Sequence, residues 1–232
     1  MKTKTCFLMF FISLLGMFML LGSSCKKDSD PGPTPDTVTD IDGNVYHTVT
    51  IGTQVWLVEN LKTTKYRDGS GIALETDNTA WSTLTTAAYC VYDNNATYGG
   101  TYGHLYNWFA VHDSRNICPS GWHVPTDAEW STLTAFLGGE SVAGGKMKET
   151  GTVHWMSPNT GATDEVGFKA LPAGERRATG QYIYIGEYGC WWSSTEYDAQ
   201  QAWLRYIGNS DIDVTNQLYN KNYGYSVRCI KD

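Results

Sequence analysis

Phe7 to Leu21 is an apolar run interrupted only by Ser13 and Gly16; it follows Lys2 and Lys4 and ends at Gly22-Ser23-Ser24-Cys25. A positive start, an apolar centre and small residues before a cleavage point make an export signal. An uncleaved membrane span would need about 20 apolar residues, and this run is shorter. The constraint on folding is direct. Everything after residue 24 is expected to fold outside the cytoplasm, where thiols pair. Four cysteines follow Cys25, namely Cys90, Cys118, Cys190 and Cys229. An even count in an exported domain predicts two disulfides, with three pairings open. No two of them lie as close as a C-x-x-C zinc knuckle requires.

Leu20-Leu21-Gly22-Ser23-Ser24-Cys25 resembles a loose lipobox, which implies a signal peptide over 1–24 and a diacylglycerol on Cys25. Each buried methylene of such an anchor adds about 0.8 kcal/mol, so several acyl chains hold a protein at a membrane where one does not. Lys26 to Asp36, with Pro31, Pro33 and Pro35 among them, offers nothing apolar to bury. Residues 25–38 therefore read as a solvated tether, and 39–232 as one domain. Lys rather than Asp after Cys25 resembles outer-membrane sorting, and the charged run Lys26 to Asp30 resembles the surface-export signals of Bacteroidetes lipoproteins. The expected location is the outer membrane, lipid-anchored, at the cell surface.

The whole chain carries 17 Lys and Arg against 24 Asp and Glu, and removing the signal takes two lysines and no acid. Nucleic-acid binding needs clustered positive charge, so that class is excluded. All nine Trp and all fifteen Tyr fall after Cys25, which predicts a loop-rich fold held by large aromatic contacts, most of the indoles being core.

Val45 to Val49 and Val55 to Val58 predict a hairpin. Asp40-Ile41-Asp42-Gly43-Asn44 has the alternating oxygens of a calcium loop but no glutamate at the twelfth place, so a tight turn with Gly43 at positive φ is the better reading. Residues 62–103 read as long loops with one short helix around Thr83 to Ala88. Thr126 and Glu129 form a capping box, and Trp130, Leu133 and Leu137 share a face, which predicts a helix from Asp127 to Leu137 ended by Gly138-Gly139. A second helix is expected over Gly144 to Glu149. Short strands follow over Phe168–Leu171, Tyr182–Ile185, Cys190–Ser193, Ala202–Ile207 and Tyr225–Ile230. Helices early and strands late predict an α+β domain with antiparallel sheet.

Six blocks carry a resemblance: Asp40 to Tyr46, Gly52 to Leu61, Tyr102 to Trp108, Cys118 to Thr126, Trp191 to Glu196 and Ser226 to Cys229. Together they resemble the Fibrobacter succinogenes major paralogous domain, from about Thr39 to Asp232. The resemblance implies a distant likeness to C-type-lectin-like folds and to formylglycine-generating, sulfatase-modifying proteins. It implies a Cys118–Cys229 bridge and, with it, a second between Cys90 and Cys190. The Glu-Pro-Asn or Gln-Pro-Asp loop and the Trp-Asn-Asp strand of calcium-dependent lectins do not occur here. Nor do Cys190 and Cys229 form the close late pair that holds copper in formylglycine-generating enzymes.

No Gly-x-Ser-x-Gly elbow, His-Glu-x-x-His helix or phosphate-cradling glycine loop is present, so no catalytic residue, cofactor or metal ligand is assigned. His123, between Trp122 and Val124, is expected to be a hydrogen-bonded core residue. Trp191 and Trp192 are adjacent, so on a strand their rings point to opposite faces. One is then expected outward as a stacking platform, with Glu196, Arg205, Asn209 and Asp211 supplying polar groups. The competing reading packs one indole under a loop and leaves the charges solvated. The leading expectation is a binding module for a glycan or a protein partner. Its rivals are an enzyme, either an oxidoreductase like the sulfatase modifiers or a carbohydrate-active hydrolase, and a structural envelope component.

Overall fold

Thr37–Thr39 (β1) already belongs to a sheet, pairing antiparallel with Val45–Ile51 (β2). The computed structural model describes residues 36–232; the predicted signal peptide, Cys25 and the tether up to residue 35 lie outside the described residues. The tether boundary at residue 38 is corrected accordingly, because the β-branched Thr-Val-Thr segment takes the edge of β2. Between the two strands the Asp40 carboxylate accepts from Asp42 N, Asn44 N, Asn44 Nδ2 and the Tyr46 hydroxyl, at 2.7–3.0 Å. Its lone pairs are spent on a turn with Gly43 at φ +88°, where a Cβ would be strained. Gln54–Leu57 (β3) closes the predicted hairpin, with Ile51 opposite Gln54.

Ala73–Leu74 (β4), Ala88–Cys90 (β5) and Leu105–Tyr106 (β6) make a small sheet. The helix expected around Thr83 to Ala88 lies earlier, at Asn78–Ser82 (α1), because the Asp77 side chain caps it through Ala80 N at 2.8 Å and Ala88 is claimed by β5. Two short helices arise in stretches not read as helical, Ala96–Tyr102 (α2) and Trp108–Val111 (α3), each capped by an asparagine side chain, Asn95 and Asn107. Trp122–His123 (β7) precedes Asp127–Phe136 (α4), which has both halves of the capping box. Trp130, Leu133 and Leu137 are buried as their spacing requires.

The second helix is Glu140–Met147 (α5), starting four residues before the expected position. Its glycines serve packing: a Cβ on Gly144 would lie 2.1 Å from the Asp213 carbonyl oxygen. Phe168–Leu171 is not a strand, since Lys169 sits at φ +50° and only Ala170 forms a bridge, with Lys148.

Glu175–Arg176 (β8) pairs with Tyr182–Ile183 (β9). Tyr188–Glu196 (β10), Gln201–Gly208 (β11) and Thr215–Asn220 (β12) form an antiparallel sheet. The strand expected over Tyr225–Ile230 shrinks to Ile230–Lys231 (β13), preceded by isolated bridges from Tyr225 to Tyr106 and from Ser226 to Trp191. β13 inserts between β3 and β7, giving the order β1-β2-β3-β13-β7. Mixed helices and largely antiparallel sheets make this an α+β domain.

The sheet of β10, β11 and β12 is covered on both faces near its centre. Trp192, Ala202 and Leu204 join one core cluster, with Tyr225 and the Cys118–Cys229 disulfide. Trp191 and Ile207 join another, with Trp56, Trp130 and Phe168. Among the described residues, no helix is long and apolar enough to cross a membrane.

Candidate functional site

The two indoles of β10 do point to opposite faces, but neither is outward: Trp191 and Trp192 are both 0 % exposed. Trp191 Nε1 donates to Asn60 Oδ1 and Trp192 Nε1 to the Tyr106 carbonyl, each at 2.8 Å. The expected stacking platform is therefore corrected. Alternation separates the rings, but a second core lies where solvent was expected.

The accompanying polar residues do not converge on a cleft. Arg205, also 0 % exposed, pairs with Asp127 Oδ1 at 2.6 Å and contacts Asn216, joining β11 to the first turn of α4. Glu196 pairs with Lys221 near the opposite end of the strand. Asn209 donates to the Met156 and Ser157 carbonyls. Asp211 has an exposed residue surface, while its carbonyl accepts from Lys148 Nζ at 2.7 Å. Arg205, Glu196 and Asn209 hold loops and elements together through their side chains, and Asp211 does so through its backbone carbonyl.

Cys118 and Cys229 are joined, whereas Cys90 and Cys190 are buried free thiols, so their expected bridge is corrected. The reason lies in β8. Neighbouring residues of a strand face opposite ways, and Cys90 senses Arg176 while Cys190 senses Glu175. Burial pushes the Cys90 thiol up to about 11 and the Cys190 thiol well above its usual value, with Glu175 adding to the latter. A nucleophilic cysteine needs the reverse shift.

The histidines find separate partners. His112 stacks on Trp108 at 4.4 Å, His104 on Tyr89 at 5.1 Å, and His154 bonds to Glu149 at 2.6 Å. His123, half-buried rather than core, bridges Asp232 and Glu129. Among the described residues, no three His, Cys, Asp or Glu side chains are placed to hold a metal ion.

What sequence reasoning missed is a pocket on the Cys190 face of the same sheet. The β10–β11 register sets Cys190 opposite Tyr206, and Tyr188 and Leu204 lie two residues along on the same face. Tyr219 of β12, Glu175 of β8 and Tyr184, just after β9, complete the lining of a cavity of ≈ 160 Å³. Tyr184 and Tyr188 meet edge to face with ring centroids 5.1 Å apart, and Tyr188 and Tyr206 at 5.8 Å.

Glu175 is 6 % exposed, and its carboxylate is held by an ion pair rather than by a close hydrogen bond. The nearest cation is Arg177, whose Nε stands 3.6 Å from Oε1. Burial raises the Glu175 pKa, against the pull of the Tyr225 hydroxyl and Arg177. That hydroxyl lies beside the carboxylate, buried and without a hydrogen-bond partner. Burial, helped by Glu175 and Cys190, also pushes Tyr219 up to about 12, so its ring stays a neutral phenol.

The family model of the Fibrobacter succinogenes major domain matches residues 49–231. The chain belongs to this family. Comparison with curated proteins and with solved structures gave no match. In this Fibrobacter succinogenes major domain, several of the blocks that carry the family resemblance meet at one buried polar centre. Asn60 Nδ2 donates to the Tyr102 carbonyl and Ser226 Oγ, and Asn60 Oδ1 accepts from Trp191 Nε1 and Arg228 Nη2. The pocket lining falls between those blocks. The resemblance thus reports the scaffold, and four tyrosines spread over 36 positions of chain form no motif that a reader of the sequence could find.

Proposed function

We propose that this family member is an envelope lipoprotein whose domain is a binding module, with the tyrosine-lined pocket as its ligand site. One observation carries the reading: a nearly buried carboxylate, with one loosely placed cation 3.6 Å away, lines a cavity walled by four tyrosines. Burying such a group costs free energy unless it is partnered, and ligand pockets combine apolar and aromatic walls with a few polar groups. The scaffold is C-type-lectin-like in this proposal, supported by the last strand inserting beside β3 and by the disulfide that anchors it. Anchoring at the outer membrane, exposed at the cell surface, is supported by the signal-like run, Cys25 and the proline-rich stretch before Thr37.

Glycan-array and envelope-protein pull-down screens of the full chain, repeated with Tyr206→Ala and Glu175→Gln, test the site. A ligand lost by both variants, each still folded, fits the reading. Binding indifferent to both refutes it, as does the absence of any ligand from these screens and from titration with small head groups. Fatty-acid labelling of the wild type and not of Cys25→Ser is the expected result for the anchor.

A further inference from the structure

We propose that the pocket is a cage for a methylated ammonium head group, held against the Tyr184, Tyr188, Tyr206 and Tyr219 rings and the Glu175 carboxylate. The inference rests on the pocket being the ligand site and specifies what enters it. Size narrows the choice first. A cavity of ≈ 160 Å³ is close to the roughly 150 Å³ that accepts a benzene ring, and below the roughly 300 Å³ at which drug-sized sites begin. It suits one compact group better than a buried saccharide chain.

Charge narrows it next. Tyrosine faces are negative and attract cations. The Tyr184–Tyr188 and Tyr188–Tyr206 pairs meet at 66° and 75°, so adjoining rings form corners rather than a flat stack. The one acidic side chain in the wall has a single cation nearby, Arg177 at 3.6 Å. The chain already sets a cation at this rim: Arg177 Cζ lies 5.8 Å from the Tyr184 ring centroid, and its side chain is 42 % exposed. This half-exposed arm, 3.6 Å from the carboxylate, does not line the cavity.

Hydrogen bonding selects the form of the cation. An unmodified ammonium brings three donors that need acceptors, and apart from the tyrosine hydroxyls the lining offers one carboxylate, shared with Arg177. A methylated ammonium brings few donors or none, and its methyl groups suit the tyrosine walls.

The test compares choline with 3,3-dimethylbutan-1-ol, its uncharged isostere, titrated into the full chain and followed by calorimetry. Choline is expected to bind saturably, about tenfold tighter than the alcohol, as cation–π attraction in a desolvated site implies. Tyr206→Leu should weaken choline severalfold, while Tyr206→Phe, which keeps the ring, should retain most of the affinity. Phosphocholine and Nε-trimethyllysine, run in parallel, identify the carrier of the head group. Equal affinity for the alcohol, no saturable binding of any of these cations, or a Tyr206→Leu titration that matches the wild type overturns the proposal. If the cations fail while a ligand from the screens still depends on Tyr206, the head-group assignment falls and the site stands. If that ligand ignores Tyr206 as well, both fall.

Discussion

Cys190 and Trp191 are neighbours on β10, and the two faces they serve are built in opposite ways. On the Trp191 face the polar centre around Asn60 is closely bonded, although Trp130 Nε1, Arg205 Nε and Arg228 Nε have no partner. Asn60 uses both donors and both acceptor positions, and Arg228, fully buried, donates to Asn60 and to the Phe168 carbonyl while lying 4.3 Å over the Phe168 ring. Burial lowers the Arg228 pKa to about 9, against the pull of Glu59 and Asp164, so it stays charged at neutral pH. Only its Nε lacks a partner. On the Cys190 face the Glu175 carboxylate has only the half-exposed Arg177, 3.6 Å away, and the Tyr225 hydroxyl has no close partner. A buried polar group with its bonds made specifies a fold; one left open stores a cost that a ligand can relieve. The first face is scaffold and the second is site.

Asn60→Ala is the strongest way to break that contrast. It strands the Trp191 N–H and removes an acceptor from a buried cation, the situation in which truncating one partner costs about 3–5 kcal/mol. Urea unfolding should show that loss, and a cost near zero would mean the Asn60 network is not what holds the Trp191 face. Replacing Cys118 and Cys229 together with serine should cost about 2–5 kcal/mol, because the bridge spans 111 residues of chain and restricts the unfolded state accordingly. Cys90 and Cys190 should remain unreactive toward a thiol reagent in the native protein, and both should react on denaturation. A reading of no thiols in denaturant would restore the bridge that the β8 geometry separates.

The same contrast explains what could be read in advance. The capping box of α4 was legible because it is complete within four residues and depends on nothing distant. The alternation of Trp191 and Trp192 was legible too. The burial of both rings was not, because it depends on Asn60 and Tyr106, each about a third of the chain or more away. β12 escaped notice because it is an edge strand: with β11 its sole neighbour, Thr215-Asn216-Gln217-Leu218-Tyr219-Asn220 needs no sustained apolar alternation. α2 escaped because Gly99 and Gly100 interrupt it, and Gly99 is there for a close approach, its Cβ position lying 3.0 Å from Val91. The pocket combines these difficulties, drawing one or two residues from each of five segments that belong to two different sheets.

Glu175→Gln sharpens the comparison from the pocket side, with the sign reversed. The folded pKa of Glu175 is raised by burial above its ordinary value of 4.5, so the folded state binds the proton more readily than the unfolded one. Stability from this group is therefore present below the unfolded value and is withdrawn as pH rises through the folded value. The glutamine variant should be more stable than wild type at neutral pH by about 1 kcal/mol, and the gain should vanish below about pH 4.5. Arg177, Tyr225, Tyr219 and Cys190 face the same carboxylate, and of these none is expected to change charge in that window. A variant destabilised at neutral pH would mean that the carboxylate is already satisfied, as the Asn60 side chain is.

The smallest effect belongs to a polar network of similar composition that is not buried. His123 Nδ1 and Nε2 lie 2.7 Å from Asp232 and 2.9 Å from Glu129, with roughly a third of the His123 and Glu129 side chains exposed. Burial alone would lower the His123 pKa, but the two carboxylates outweigh it and hold it above 6.5. Stability from the protonated ring is complete below that ordinary value and is lost as pH rises through the folded one. Glu129 has the complementary shift: burial opposes it, yet the Thr126 and His123 bonds keep its pKa low, so its share is lost only as pH falls through that lowered value. His123→Asn should therefore cost most between the two, near pH 6, and less at pH 9. With this much solvent exposure, screening confines the cost to about 1 kcal/mol or less, against several for Asn60→Ala. Melting temperatures of both variants across pH measure the difference directly: if His123→Asn costs as much as Asn60→Ala, burial is not what separates a strong polar centre from a weak one in this protein.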